Sequence, residues 1–204
     1  MLNLIADEIR TCTLCELART RTNAVPGAGP DRTPVMLIGE GPGFHEDQQG
    51  LPFVGAAGKF LNELLSQAEM TRDEVFITNV VKCRPPGNRD PLPDEMMACS
   101  AYLDRQIDAI DPTVIVTLGR FSMSRWFAGE RISQIHGEPK KIGARTIVPM
   151  YHPAAALHQG NLKAVILEDF ALLRTIVEKA EAARLQELEP VVPVEPSPEQ
   201  MSMF

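Results

Sequence analysis

Residues 35–47 read Val35-Met-Leu-Ile-Gly39-Glu-Gly-Pro-Gly43-Phe-His-Glu-Asp47. The apolar run Val35 to Ile38 stops at Gly39-Glu40-Gly41-Pro42-Gly43. Three glycines and a proline in five residues cannot continue a strand. They form a tight turn with uncovered backbone N–H groups, which a small ligand can approach closely. Glu40, Glu46 and Asp47 place carboxylates in or just after the turn, although Glu46 and Asp47 also suit helix N-caps. A buried strand ending in a glycine turn is a common way for α/β proteins to build a site, so this stretch is predicted to be the first strand and an active-site floor. GEGPG lacks both G-x-G-x-x-G and the Lys-Ser/Thr ending of a P-loop, which argues against a nucleotide-phosphate cradle.

Working outward, strands are predicted at Val75–Val81, Thr113–Leu118 and Arg145–Met150. Helices are predicted at Leu2–Arg10, Ala56–Glu69, Pro93–Ile110 and Leu162–Leu188, with a short one from Gly119 to Phe127. Pro93 starts the third, and Asp111-Pro112 stops it. Strands alternating with helices imply βαβ units and a central, mostly parallel sheet. Ligands of such sheets sit beyond the carboxyl ends of the strands, where Glu40, Asn79 and His152 fall together. Residues 1–188 read as one domain. From 189 to 204, PVVPVEPSPEQ and its flanks have no period and are rich in proline, so a disordered tail is expected.

Net charge is −7. Residues 178–204 carry six acids against Lys179 and Arg184, which leaves the body near −3 and does not exclude a local basic face. No apolar run approaches the ~20 residues that span a bilayer. MLNLIADEIR has acids where a secretion signal has a basic start, so a cytoplasmic protein is expected. In that reducing compartment four cysteines suggest a metal or cluster site rather than disulfides.

Cys12, Cys15, Cys83 and Cys99 give C-x2-C, a long gap, then C-x15-C. Four thiolates suit Zn²⁺ or an iron–sulfur cluster, but zinc ribbons pair two close knuckles, so a cluster fits better than zinc. Unrelated buried thiols are the plainer alternative. His152, held before a proline at a strand end, could donate to a developing anion or be merely structural. Asn79 inside an apolar strand needs partners, and its paired donor and acceptor match an amide-like ligand edge or neighbouring backbone. Phe53 suits stacking on a planar ligand and equally suits the core.

Taken in order, GEGPGFHED, GLPFVG, TNVVKCRPPGNRDP, VTLGR and YHPAA resemble the family 4 uracil-DNA glycosylases over about residues 1–180. The resemblance implies a three-layer α/β/α fold around a short central parallel sheet. It also implies hydrolysis of the N-glycosidic bond of uracil in DNA, leaving an abasic site, in base-excision repair; a monomer is expected. Glu40, Gly41 and Pro42 match the motif that binds uracil and water, with Glu40, Gly41, Glu46 and His152 the catalytic set. Phe53 matches the stacking aromatic, Asn79 the uracil-reading amide and His152 the imidazole near the uracil oxygen. Cys12, Cys15, Cys83 and Cys99 match the ligands of a structural [4Fe-4S] cluster. Related glycosylases of another family carry an aspartate base where Gly41 stands.

Two departures from relatives bear on chemistry. No basic, histidine-containing insertion follows the second strand, so ordinary turnover is expected rather than covalent trapping. His136 stands where arginine is expected. Ala154 to Leu157, with Ala155 and Leu157 as DNA contacts, is expected to form a wedge that fills the space left by a flipped base. Gln200-Met201-Ser202-Met203-Phe204 resembles the peptide that docks bacterial sliding clamps. The alternative reading is a non-catalytic iron–sulfur DNA-binding or polymerase-accessory protein.

Overall fold

A computed structural model describes residues 1–188; the 189–204 tail and its Gln200–Phe204 peptide lie outside the described residues. Five strands form one sheet: β1 (Val35–Gly39), β2 (Phe76–Asn79), β3 (Val114–Leu118), β4 (Lys140–Ile142) and β5 (Arg145–Met150). Their order is β2-β1-β3-β5-β4. The first four in that order run parallel, while β4 is antiparallel to β5 at the edge, so the sheet is mostly parallel, as expected, with one antiparallel edge strand. Lys140-Lys141-Ile142 is too short and polar to carry a strand signal of its own; it forms by pairing with β5.

Ten helices cover the sheet: α1 (Leu2–Thr11), α2 (Leu17–Thr20), α3 (Phe44–Gln49), α4 (Ala56–Gln67), α5 (Pro93–Ile110), α6 (Arg120–Met123), α7 (Ile132–Ile135), α8 (Pro153–His158), α9 (Leu162–Ala171) and α10 (Leu173–Leu188), counted among the described residues. None of them is long and apolar enough to cross a membrane. Strands buried on both faces explain the near-continuous apolar runs. Leu37, Ile77, Val116 and Val148 pack with Leu61, Leu64, Leu65, Ile166 and Phe170 of α4 and α9. The alternate residues Met36, Ile38, Ile115 and Ile147 pack with Ile5, Ile9, Leu103 and Ile107 of α1 and α5. Side chains alternating across the pleat therefore produce the expected α/β/α layers.

Three expectations need adjustment. The second strand ends at Asn79 rather than Val81, because the chain then follows the glycine turn: the N–H groups of Val80 and Val81 donate to the Gly39 and Glu40 carbonyls at 3.0 and 3.1 Å. The long C-terminal helix is two, broken at the exposed Leu172, whose N–H donates to Asp169 O at 3.3 Å. Glu46 and Asp47 are not caps. Gly43 caps α3, and the two acids lie within its first turn.

Candidate active site

The register pairs Gly39 with Asn79 and Leu118 with Met150, so the carboxyl ends of β1, β2, β3 and β5 open on one edge. A cleft of about 400 Å³ lies there, and Glu40, Gly41, Pro42, Glu46, Phe53, Asn79 and His152 all line it. Every residue expected to read or hydrolyse a ligand therefore converges on one space. Ala155 and Leu157 do not line it; both belong to α8, whose Ala154 and His158 do, and Leu157 is exposed.

Gly39 explains how the wall and floor come together. A Cβ there would lie 2.4 Å from Asn79 Oδ1 and 2.8 Å from Phe53 Cζ, so only glycine lets both side chains cross the end of β1. Asn79 is buried, and its Oδ1 has no hydrogen-bond partner among the described residues. An unpaired buried acceptor costs about 1–3 kcal/mol, which a ligand N–H could recover.

Phe53 is both a core residue and a cleft wall. It is buried, and its ring stacks on His152 with centroids 5.6 Å apart and planes 28° apart. Its backbone is strained, with φ at +51°. Three features hold it there. Arg72 donates to Phe53 O at 3.1 Å and to Pro52 O. Glu46 Oε1 accepts from the N–H groups of Val54 and Gly55, each at 2.8 Å. Gly58 of α4 leaves room for the Phe53 carbonyl, which would lie 1.8 Å from a Cβ there. A glycine inside an otherwise amphipathic helix is a sequence signal of close backbone approach. Arg72 left no such signal.

Glu46 is thus a tie for the Phe53 loop before it is anything else, and its Oε2 remains free of these bonds. Replacing Glu46 with alanine is expected to lower kcat/KM about 10- to 100-fold, by releasing Phe53. Steady-state kinetics of parent and variant, with Glu46→Gln retaining most activity through its carbonyl, would check this. Asp47 is also structural: its Oδ1 accepts from Thr22 N at 2.8 Å.

His152 caps α8 through its ring, with Nδ1 accepting the Ala154 N–H at 3.1 Å. Nδ1 must then be unprotonated, so the neutral ring carries its proton on Nε2. Burial lowers its pKa to about 4, partly opposed by Glu46, so His152 is a neutral donor near pH 7. The turn acid behaves oppositely. Burial pushes Glu40 above the usual carboxylate range, Asp90 adds to the shift and Arg120 opposes it.

Arg89 lines the cleft and holds Glu95 through two bonds of 2.9 and 2.6 Å. Arg84 stacks over the exposed ring of Phe44 at 5.1 Å.

The cysteines lie elsewhere. Among the described residues no three His, Cys, Asp or Glu side chains are gathered to hold a single metal ion. Cys12, Cys15, Cys83 and Cys99 nevertheless line one small cavity with Ile9, Leu14 and Tyr102, and none forms a disulfide. Arg21 Nη1 donates to Cys83 Sγ at 3.0 Å. Burial pushes the Cys99 thiol up to about 11 and Cys83 upward as well, so neither is poised as a nucleophile.

A family model described as the Uracil DNA glycosylase superfamily matches residues 26–173. The type-4 uracil-DNA glycosylase of Sulfurisphaera tokodaii is 49% identical over 185 residues, covering 86% of this chain and 84% of that protein. That of Saccharolobus solfataricus is 49% identical over 179 residues, 83% of each. The Thermotoga maritima type-4 enzyme is 39% identical over 184 residues, covering 88% of this chain and 96% of that one.

Proposed function

The chain belongs to the uracil-DNA glycosylase superfamily, and on that premise we propose that it hydrolyses the bond between uracil and deoxyribose in DNA during base-excision repair. The observation that carries this reading beyond family membership is the buried, unpartnered amide oxygen of Asn79 in a cleft it lines with Phe53 and His152.

Uracil inside a duplex must leave the stack to be reached, and a flipped base is held by stacking and edge hydrogen bonds. Asn79 Oδ1 accepts from N3–H and Nδ2 donates to O4. Cytosine presents its own donor at position 4 and no N3–H, so it mismatches both. Phe53 supplies the wall for the ring. As the C1′–N1 bond breaks, its electron pair leaves with uracil and the sugar becomes cation-like. His152 Nε2–H donates to O2, stabilising the anion while keeping its proton. Water held by the backbone of Glu40, Gly41 and Pro42 bonds to C1′. The raised Glu40 carboxylate is the acceptor for the proton this water loses. Gly41 takes no proton, and Glu46 serves by holding the Phe53 loop.

Four thiols spread around one cavity, rather than gathered on a point, fit a [4Fe-4S] cluster better than Zn²⁺. Such a cluster would supply cross-linking rather than redox chemistry, tying the segment after α1 to the loop after β2 and to α5. Brown protein absorbing at about 400 nm supports this, and a colourless protein overturns it.

Incubation with uracil-containing oligonucleotides followed by alkali should cleave the strand at each uracil. An intact strand would overturn the enzyme and leave the non-catalytic DNA-binding alternative. Ordinary turnover also requires that no denaturation-resistant protein–DNA adduct forms. Leu157, exposed on α8 beside the cleft, serves in this reading as the wedge, with Ala155 against the DNA. The Gln200, Met201, Met203 and Phe204 peptide is proposed to dock a sliding clamp; deleting residues 199–204 should abolish clamp pull-down and spare activity on short oligonucleotides.

A further inference from the structure

Lys82 is among the largest fully buried side chains of the described residues, at 1% exposure. Its Nζ has three oxygen acceptors: Thr78 Oγ1 at 2.6 Å, Gln106 Oε1 at 2.7 Å and the Asn79 carbonyl at 2.8 Å. That number and type of partner is what an ammonium requires. The network continues below, where Gln106 Nε2 and Thr78 Oγ1 both donate to Pro26 O, at 2.7 and 2.9 Å. Burying a charge is costly, and an apolar side chain of the same length would fill this space more cheaply.

What the buried amine secures is one peptide. The Asn79 carbonyl is held by Lys82, and the next N–H, that of Val80, is held by Gly39 O at 3.0 Å. Pinned on both sides, the Asn79 backbone fixes the direction of its Cα–Cβ bond, and hence where its amide meets a ligand. Val81 N–H on Glu40 O at 3.1 Å ties the same curl to the glycine turn.

We infer that Lys82 is a positioning residue for base selection, orienting Asn79 from beneath the cleft. This rests on the reading of Asn79 as the uracil-reading amide. Lys82 never touches the base; it acts through the Asn79 peptide and through Gln106, on α5. Lys82 also lines the cysteine cavity, so a test must separate base reading from that site.

The full-length parent, Lys82→Met and Thr78→Val should be compared on uracil-containing oligonucleotides. Thr78→Val removes one of the three acceptors, and it decides the question if Lys82→Met fails to fold. For Lys82→Met, kcat/KM is expected to fall about 30- to 100-fold, and the inhibition constant for free uracil to rise about tenfold or more. Affinity for abasic-site duplex should stay within about twofold of the parent. Visible absorbance of the cysteine site should be unchanged. Thr78→Val should shift both uracil readouts the same way by about 3- to 10-fold. Uracil inhibition equal to the parent's in the variants that fold would overturn the inference. So would equal losses for uracil and abasic DNA, or a fall in activity that tracks loss of visible absorbance, since either marks general loosening. A parent that cleaves no uracil DNA overturns the glycosylase reading and this inference together, whereas an active parent with unaffected variants overturns this inference alone.

Discussion

Replacing Asn79 by aspartate should lower kcat/KM on uracil-containing DNA by about 10³-fold or more, the scale seen when a site built to pair a substrate group loses that pairing. The substitution is nearly isosteric, so the effect is chemical. Aspartate cannot donate to O4, and its charge would be buried where Asn79 is 1% exposed. It would also face the half-buried Glu40, already raised by desolvation, and oppose the anion forming on uracil. Asn79→Ala should cost less, about 10²-fold, because it removes the pairing without adding a charge. Single-turnover kinetics, with abasic-DNA affinity as a control for folding, measures this. Activity of Asn79→Asp within tenfold of the parent would remove Asn79 from base recognition.

His152→Leu should lower kcat about 10²- to 10³-fold with little change in KM, the signature of an interaction made in the transition state. A loss confined to KM would instead make His152 a wall for Phe53. The same residue predicts a pH dependence of stability. Its folded pKa is about 4 against 6.5 for the free side chain, so between these values the unfolded chain binds more protons. Its contribution is therefore fully present above pH 6.5 and is lost as pH falls toward 4. The full shift corresponds to at most about 3 kcal/mol, lessened because the ring is partly open to the cleft. Urea unfolding at pH 7 and pH 4.5 should show a shallower acid loss in His152→Leu than in the parent. An identical slope would mean that His152 titrates normally.

Much of the fold was legible because its signals are local. The expected helix Pro93–Ile110 agrees residue for residue with α5, since proline opens it, Asp111-Pro112 closes it and 18 residues carry a clear period. The strand ends that deliver Glu40, Asn79 and His152 were legible for the same reason, as apolar runs stopping at polar or glycine residues. Elements without a local signal escaped: α3, Phe44 followed by five polar residues, and β4, three residues made a strand by β5.

The amino-acid sequence by itself determined which residues could do the chemistry and that they would meet at one edge of a parallel sheet, because side-chain type, glycine turns and strand direction are written within a few neighbouring positions. Only the tertiary structure decided how each would act. Glu46 became the anchor of Val54 and Gly55, His152 a neutral donor, and Phe53 a strained wall held by Arg72, 19 residues away. Lys82 reaches Gln106 across 24 positions. Hydrogen-bond partners so far apart leave no periodicity, and desolvation depends on what packs around a group, so neither can be read along the chain.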